Sequence, residues 1–389
     1  MVVGIRLVVE PALTLRVVGF VLGGILLGTI SGLTPGLHAN NFALLLASVA
    51  PGIPGPPTLV GAAMLAAGVV HTFLDVVPAL ALGVPDAAMA VTALPGHRLV
   101  IGGRGREALR LSALGSGLAV LVAAPLAIPV TGAMQRLYPL LRPRMSVVLA
   151  AVAVYLVATE TSGRARIGAA TAFAASAALG FLTLDLDPNA PLSAGGMLAP
   201  LFAGLFGAPV LVEAVGGRGI PPQAGTGIAI ERRWVALVAL MGALAGAAVG
   251  YLPGVSSAIA AVIVLAALPS GTDAREFVVA TSGVNTANLI FALFALVALG
   301  TPRTGVLVAI DRAGVPLNLP LLLAVVFCAG AVGFVLVTVL GDRYLRVVGR
   351  VDYTWLSMSV LGGLVCVSYL FGGAPGVVAF VVAGAIGLI

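Results

Sequence analysis

Apolar runs of membrane-spanning length recur from one end of this sequence to the other. A helix that crosses a bilayer needs ~20 apolar residues. The runs at 17–34, 58–82, 108–131, 234–252, 277–299, 317–340 and 352–371 meet or approach that length. Hydrophobic residues make up 60% of the 389-residue chain and charged residues 9%, with a mean hydropathy of +1.16. A soluble domain carries about 25% charged residues, so this chain has too few to cover a surface facing water. A transmembrane barrel would read instead as short alternating segments. The fold class is therefore an all-α polytopic membrane protein, one integral membrane domain over 1–389, multi-pass in the cytoplasmic membrane of the cell.

Other runs are too short to cross alone. Those at 37–50, 86–95 and 254–268 have the length of half-helices or re-entrant segments, and roughly 10–12 crossings are expected in all. The basic residues are all arginine, the net charge is +6, and the arginines lie in short loops between spans. That pattern is one of membrane orientation, and it gives no reason to expect nucleic-acid binding. Loop 184–191 carries Asp185 and Asp187 and no arginine, so it reads as external. Enzyme chemistry finds no support. There is no lysine for a Schiff base, and the histidines are three (38, 71, 97) with no zinc-protease spacing. Both cysteines, Cys328 and Cys366, fall in apolar segments. "GGRGRE" lacks the lysine and strand–helix context of a phosphate loop. No cofactor is expected, and active transport would have to draw on a H⁺ or Na⁺ gradient.

The breaks recur as a repeat. "LLGTISGLTPGLHANNFALLLA" and "LAGAAVGYLPGVSSAIAAVIVLAAL" each run from a Gly-rich apolar lead through Pro-Gly to a small or polar cluster. Each is followed by Leu-Gly-x-Pro at the end of a later span. Pro35 and Pro85 are 50 residues apart, and Pro253 and Pro302 are 49 apart. The reading is a first repeat over 17–131, connecting spans over 132–233, a second repeat over 234–350 and C-terminal spans over 351–389. Paired helix breaks in two repeats point to the binding site of a secondary transporter. Proline removes a backbone donor, and the freed backbone groups are tolerable at membrane depth only where they line a cavity or meet a ligand. Half-helix N-termini carry bare N–H groups and partial positive charge, which suits an anion.

The candidate substrate-binding residues lie at or just past these breaks: Pro35, Gly36, His38, Asn40 and Asn41 in the first repeat, Pro253, Gly254, Ser256 and Ser257 in the second. Asn285 and Asn288 belong to a polar island with Thr281 and Ser282, and Arg303 follows the second Gly-x-Pro break. An arginine there suits a substrate carboxylate. The ion-coupling candidates are His71 and Asp75, spaced i,i+4 in an apolar span, and Asp86, which follows Pro85. An ionisable residue at membrane depth is expensive and marks a pathway or relay. Each has a plainer alternative: a helix-pinning hydrogen bond for His71, Asp75 and the asparagines, a helix cap for Asp86, a snorkelling side chain for Arg303. Glu107 and Glu213 read as structural or interfacial.

With these motifs assembled, the sequence resembles the large membrane subunit of tripartite tricarboxylate transporters, the TctA-like permeases. "GLTPGLHANN", "GVPDAAMAVTALPGHRLVIGGRGREALRLSALGS" (83–116), "GYLPGVSSAIA", "TSGVNTANLIFAL" and "LGTPRTGVLV" carry the resemblance over about residues 20–310. Asp86 and Arg303 stand where that family has glycine, "VHTFLDVV" is more polar than its small-residue span, and the chain is shorter. It is similar to a short, divergent branch of archaeal type. The resemblance implies inverted repeats, a di- or tricarboxylate substrate, alternating access, a small membrane subunit and an extracytoplasmic substrate-binding protein. The rival reading is a translocase for a lipid-linked carrier such as polyprenyl phosphate, using the same helix ends.

Overall fold

The computed structural model describes residues 10–35, 37, 39–82, 93–192, 196–215, 220–224, 227–252, 257–266, 273–350 and 352–389. Among them every regular element is a helix, and eight stretches are long and apolar enough to cross a membrane. Of the short runs, 37–50 and 254–268 contain the short helices Ala39–Val49 and Ser257–Ala266, and most of 86–95 lies outside the described residues. α1 (Pro11–Leu33) is followed by the short α2 (Ala39–Val49), then α3 (Pro57–Leu74), α4 (Val76–Leu82), α5 (Ala93–Ile101) and the long α6 (Gly105–Leu141). α7 (Met145–Thr159) and α8 (Gly163–Thr183) come next. α9 (Leu198–Phe202) and α10 (Ala208–Ala214) are joined by a π-helical turn. α11 (Arg232–Tyr251), the short α12 (Ser257–Ala266), α13 (Ala274–Leu299), the short α14 (Gly305–Arg312), α15 (Leu319–Val348) and α16 (Tyr353–Gly387) complete the chain.

Two helix pairs form the core, and glycine makes both. Lipid tails are as apolar as leucine, so membrane helices associate through close packing, and small residues let their backbones approach. Gly24, Gly28 and Gly32 lie on one face of α1. A Cβ there would meet the Ala63 carbonyl oxygen at 2.1 Å, that of Ala67 at 2.3 Å and Leu74 Cβ at 2.7 Å. Gly242, Gly246 and Gly250 do the same on α11, where a Cβ would meet the Ala280 carbonyl at 2.8 Å, Ala287 Cβ at 2.6 Å and Phe291 Cβ at 2.7 Å. Within each pair the contacts advance together along both helices, so α1 runs parallel to α3 and α11 parallel to α13.

The two pairs run in opposite directions. One face of the bundle is set by Glu107 at the start of α6, which pairs with Arg275 at the start of α13, and by Glu276, which takes a hydrogen bond from Trp234 at the start of α11. Arg106 ties the same face to Asp342 near the end of α15. α6, α11 and α13 therefore start together, and Tyr251 meets Thr131 near their far ends. α3 runs the other way. Its Gly61 and Gly68 pack on Val315 and Val306, beyond the end of α13, whereas Thr72 and Asp75 reach Thr286 and Asn285 half-way along it. The fold is an inverted repeat of glycine-packed parallel pairs.

The breaks are real interruptions. α1 stops at Leu33, Thr34 takes an extended conformation, and α2 starts at Ala39. α11 stops at Tyr251 and α12 starts at Ser257. α13 ends on Gly300, at φ 63°, a left-handed cap that glycine adopts without penalty. By contrast α7 and α8 bury none of their residues and lie outside the main core.

Candidate functional site

α3 ends where the chain must bend. Pro78 has no N–H to return to the carbonyl four residues earlier, that of Leu74. The helix gives way to a turn at Asp75 before α4 resumes. Asp75 is thus held at a break and is 5% exposed. Asn285 of α13, 6% exposed, donates from Nδ2 to Asp75 Oδ2 at 2.7 Å. One turn before, His71 is buried; its Nδ1 lies 2.9 Å from the Ser31 hydroxyl of α1. Phe42 of α2 stacks on its ring at 5.9 Å between centroids, 6° from parallel. The Thr72 and Thr286 hydroxyls lie 3.4 Å apart. The result is a buried polar cluster drawn from both repeats, beside a carbonyl released by proline. A carboxylate, an amide, hydroxyls and a freed carbonyl are hard oxygen donors of the sort a small cation takes.

The inverted repeat explains the pairing of polar positions. The third glycine of each stripe, Gly32 or Gly250, would place a Cβ 3.1 Å from the carbonyl of His71 or Asn288 respectively. The two residues hold equivalent places, an imidazole in one repeat and an amide in the other.

A second polar group surrounds the start of α14. Val306 lies against Gly68 and Val315 against Gly61. Gly68 is about 16 Å along α3 from Pro57 at 1.5 Å per residue, roughly half the ~30 Å of a hydrocarbon core. α14 therefore starts inside the bundle and returns to the face where α3 starts, with its N-terminus turned inward. Thr304, its N-cap residue, makes no capping bond with its side chain. The buried Thr304 and Thr301 hydroxyls and Arg303 Nε have no hydrogen-bond partner among the described residues. Arg303 donates from Nη2 to the Tyr138 hydroxyl of α6, and its Cζ stands 5.3 Å from that ring's centroid. A guanidinium and two hydroxyls lie within four residues at the start of α14 and leave Arg303 Nε and the Thr301 and Thr304 hydroxyls unused, and donors of this kind suit an anion.

Other expected residues are spread differently. Pro35 is buried at the α1 break and Ser257 is buried at the first position of α12. Asn288 is half-buried on α13. Thr281 turns back on the Phe277 carbonyl of its own helix, and Ser282 bonds Ser112 of α6 at 2.9 Å, so that half of the polar island packs helices. Gly36, His38, Asp86, Pro253, Gly254 and Ser256 lie outside the described residues, as do the side chains of Asn40 and Asn41. Sequence reasoning missed Ser31, Thr72, Thr286, Thr301 and Tyr138. Ser31 stands beside the last glycine of the α1 stripe, a signal that was available; Tyr138 had none.

Glu107 is fully buried. Its Oε1 accepts from Arg275 Nε at 2.9 Å and from the Ala229 backbone N–H at 2.8 Å, and its Oε2 forms an ion pair with Arg104 at 2.7 Å. It closes one face of the bundle.

No solved structure matches this chain. An uncharacterised protein of Methanocaldococcus jannaschii is 26% identical over 342 residues, 86% of this chain and 82% of that one. The family model of the tripartite tricarboxylate transporter TctA family matches residues 18–389. Eight stretches long and apolar enough to cross a membrane among the described residues, an inverted repeat with broken helices and a match over nearly the whole length agree: the chain belongs to the tripartite tricarboxylate transporter TctA family and is a multi-pass membrane component of a transporter.

Proposed function

We propose that this protein is a secondary transporter of a small organic anion, a di- or tricarboxylate, working by alternating access in the cytoplasmic membrane. The observation that carries the reading is the inward-facing start of α14, where Arg303 Nε and the Thr301 and Thr304 hydroxyls are buried without partners. Unpaired buried donors are expensive, and a carboxylate would satisfy them. Asp75, Asn285 and His71, with the carbonyl that Pro78 cannot engage, supply the coupling site for Na⁺ or H⁺. Both sites draw on helices of both inverted repeats, so rocking one repeat against the other changes both. Pro35, Gly36, His38, Asn40, Asn41, Pro253, Gly254, Ser256, Ser257 and Asn288 are the further substrate-binding candidates, and Asp86 is the further ion-coupling candidate. α7 and α8, which bury nothing within this chain, leave a surface for the small membrane subunit; an extracytoplasmic binding protein would deliver substrate.

The test is a thermal-shift panel on the detergent-purified protein. It holds di- and tricarboxylates and a polyprenyl phosphate, each with and without Na⁺ at two pH values. Ligand that binds the folded state raises the melting point by mass action. A carboxylate shift that depends on Na⁺ or pH, disappears in Arg303→Gln and loses its ion dependence in Asp75→Asn supports the proposal. A shift with polyprenyl phosphate alone moves the assignment to a lipid-carrier translocase.

A further inference from the structure

On the face closed by Glu107, a cleft of about 630 Å³ opens between the first turns of α6 and the last turns of α15. Arg106, Arg110, Arg343 and Arg346 line it, with Asp342 as the single carboxylate among its walls. Asp342 orients two of the arginines, taking Arg106 Nε on Oδ1 and Arg346 Nη2 on Oδ2 at 2.9 Å. Arg343 is exposed and makes no hydrogen bond or ion pair among the described residues. The helices are held together just inside the cleft: a Cβ on Gly341 would meet Leu109 at 2.8 Å, and one on Gly117 would meet Phe334 at 2.9 Å. Immediately inward, Val339 and Val335 of α15 and Leu121 of α6 are exposed apolar side chains.

We propose that this cleft binds the phosphate headgroup of an anionic phospholipid. Four guanidiniums against one carboxylate leave an excess of positive charge in a concave site at the end of two membrane helices, the depth of lipid headgroups. Arginine presents a planar fork that matches phosphate oxygens in pairs. Asp342 holds two forks in place beforehand, which lowers the ordering lost on binding. The apolar strip running inward from the cleft gives the acyl chains a path, which a soluble phosphate compound would leave unused. Arginines that merely orient a chain in the membrane need neither a cleft nor an aligning carboxylate. Basic pockets between membrane helices are a recognised form of headgroup site.

The experiment measures lipid retention by native mass spectrometry, and melting point, on the full-length protein in detergent. Phosphatidylglycerol, phosphatidylcholine with the same acyl chains, and glycerol 3-phosphate are the probes. The variants are Arg110→Gln/Arg343→Gln in the cleft and Arg232→Gln/Arg233→Gln at exposed positions on the same face. Phosphatidylglycerol is expected to bind and raise the melting point well above phosphatidylcholine. The cleft pair should weaken it about fivefold per arginine and the control pair by less than about twofold. Should the cleft double variant fold poorly, Arg343→Gln alone, at an exposed position, reads the same loss. Equal binding of phosphatidylcholine, an equal loss in the control pair, or a full effect from glycerol 3-phosphate alone would each overturn the proposal.

Discussion

Gly23 and Gly24 are neighbours on α1, yet they should respond in opposite ways to alanine. Alanine favours a helix over glycine by up to about 1 kcal/mol. At Gly23 a Cβ meets nothing within 4 Å, so Gly23→Ala should be neutral or stabilising by up to that amount. At Gly24 the Cβ would stand 2.1 Å from the Ala63 carbonyl oxygen, where ordinary contact begins at 3.4 Å. α1 and α3 would have to part by more than 1 Å, and the obstacle is rigid helix backbone. Overpacking of this kind costs about 1–3 kcal/mol. The two variants should thus differ by roughly 2–3 kcal/mol, several degrees in melting point. Gly28→Ala, at 2.3 Å, should behave like Gly24→Ala, and Gly242→Ala, at 2.8 Å, should lose less. Thermal unfolding in detergent at one fixed scan rate measures the series, since membrane-protein melting is commonly irreversible. Parting the helices at Gly28 also stretches the 2.9 Å contact between Ser31 and His71 one turn on, so the ion response should fall with the melting point. If Gly23→Ala and Gly24→Ala melt together, the backbone contact is not there and the argument for the parallel pair fails.

Asn285→Ala removes the 2.7 Å donor to a buried carboxylate. A loss of about 1.5–3 kcal/mol is expected, and in a double-mutant cycle with Asp75→Asn the two losses should fall short of additivity; additive losses would deny the pair. Arg303→Lys keeps the charge but forfeits the fork and the contact with Tyr138. It should abolish most of the carboxylate shift while leaving any Na⁺ shift intact, as read on the same thermal panel. Glu107→Ala strands Arg104 and Arg275 opposite a vacated site and should cost about 3 kcal/mol. That is the low end for a broken buried pair because both arginines are partly exposed; an unchanged melting point would refute the role. Finally, the cleft arginines with Arg104, Arg232, Arg233 and Arg275 gather on one face. The positive-inside rule then predicts that this face is the cytoplasmic one. Single cysteines introduced at Arg233 and at Leu137 should therefore react with an impermeant maleimide on opposite sides of sealed vesicles, with Leu137 labelled from outside.

The membrane class was legible because charge is scarce over the whole length, and no fold can hide that deficit from water. The broken helices were legible because proline and glycine act locally: "LTPG" ends α1 whatever surrounds it. Family membership followed from the order and spacing of those breaks. Asp75 and Asn285 were both marked as candidates, since polar side chains in apolar runs stand out, but the bond between them spans 210 residues and no local pattern encodes it. Thr281 and Asn285 looked alike as members of one polar island. One satisfies its own helix and the other reaches α3, because each faces a different neighbour. Orientation shows the same division. The arginines were visible as a count distributed over nearly every loop. Which of them share a face depends on the antiparallel setting of the two glycine-packed pairs, and so did the gathering of Arg106, Arg110, Arg343 and Arg346 around one cleft. Composition and local backbone chemistry determined that this chain spans a membrane and where its helices break; long-range packing decided which polar groups meet.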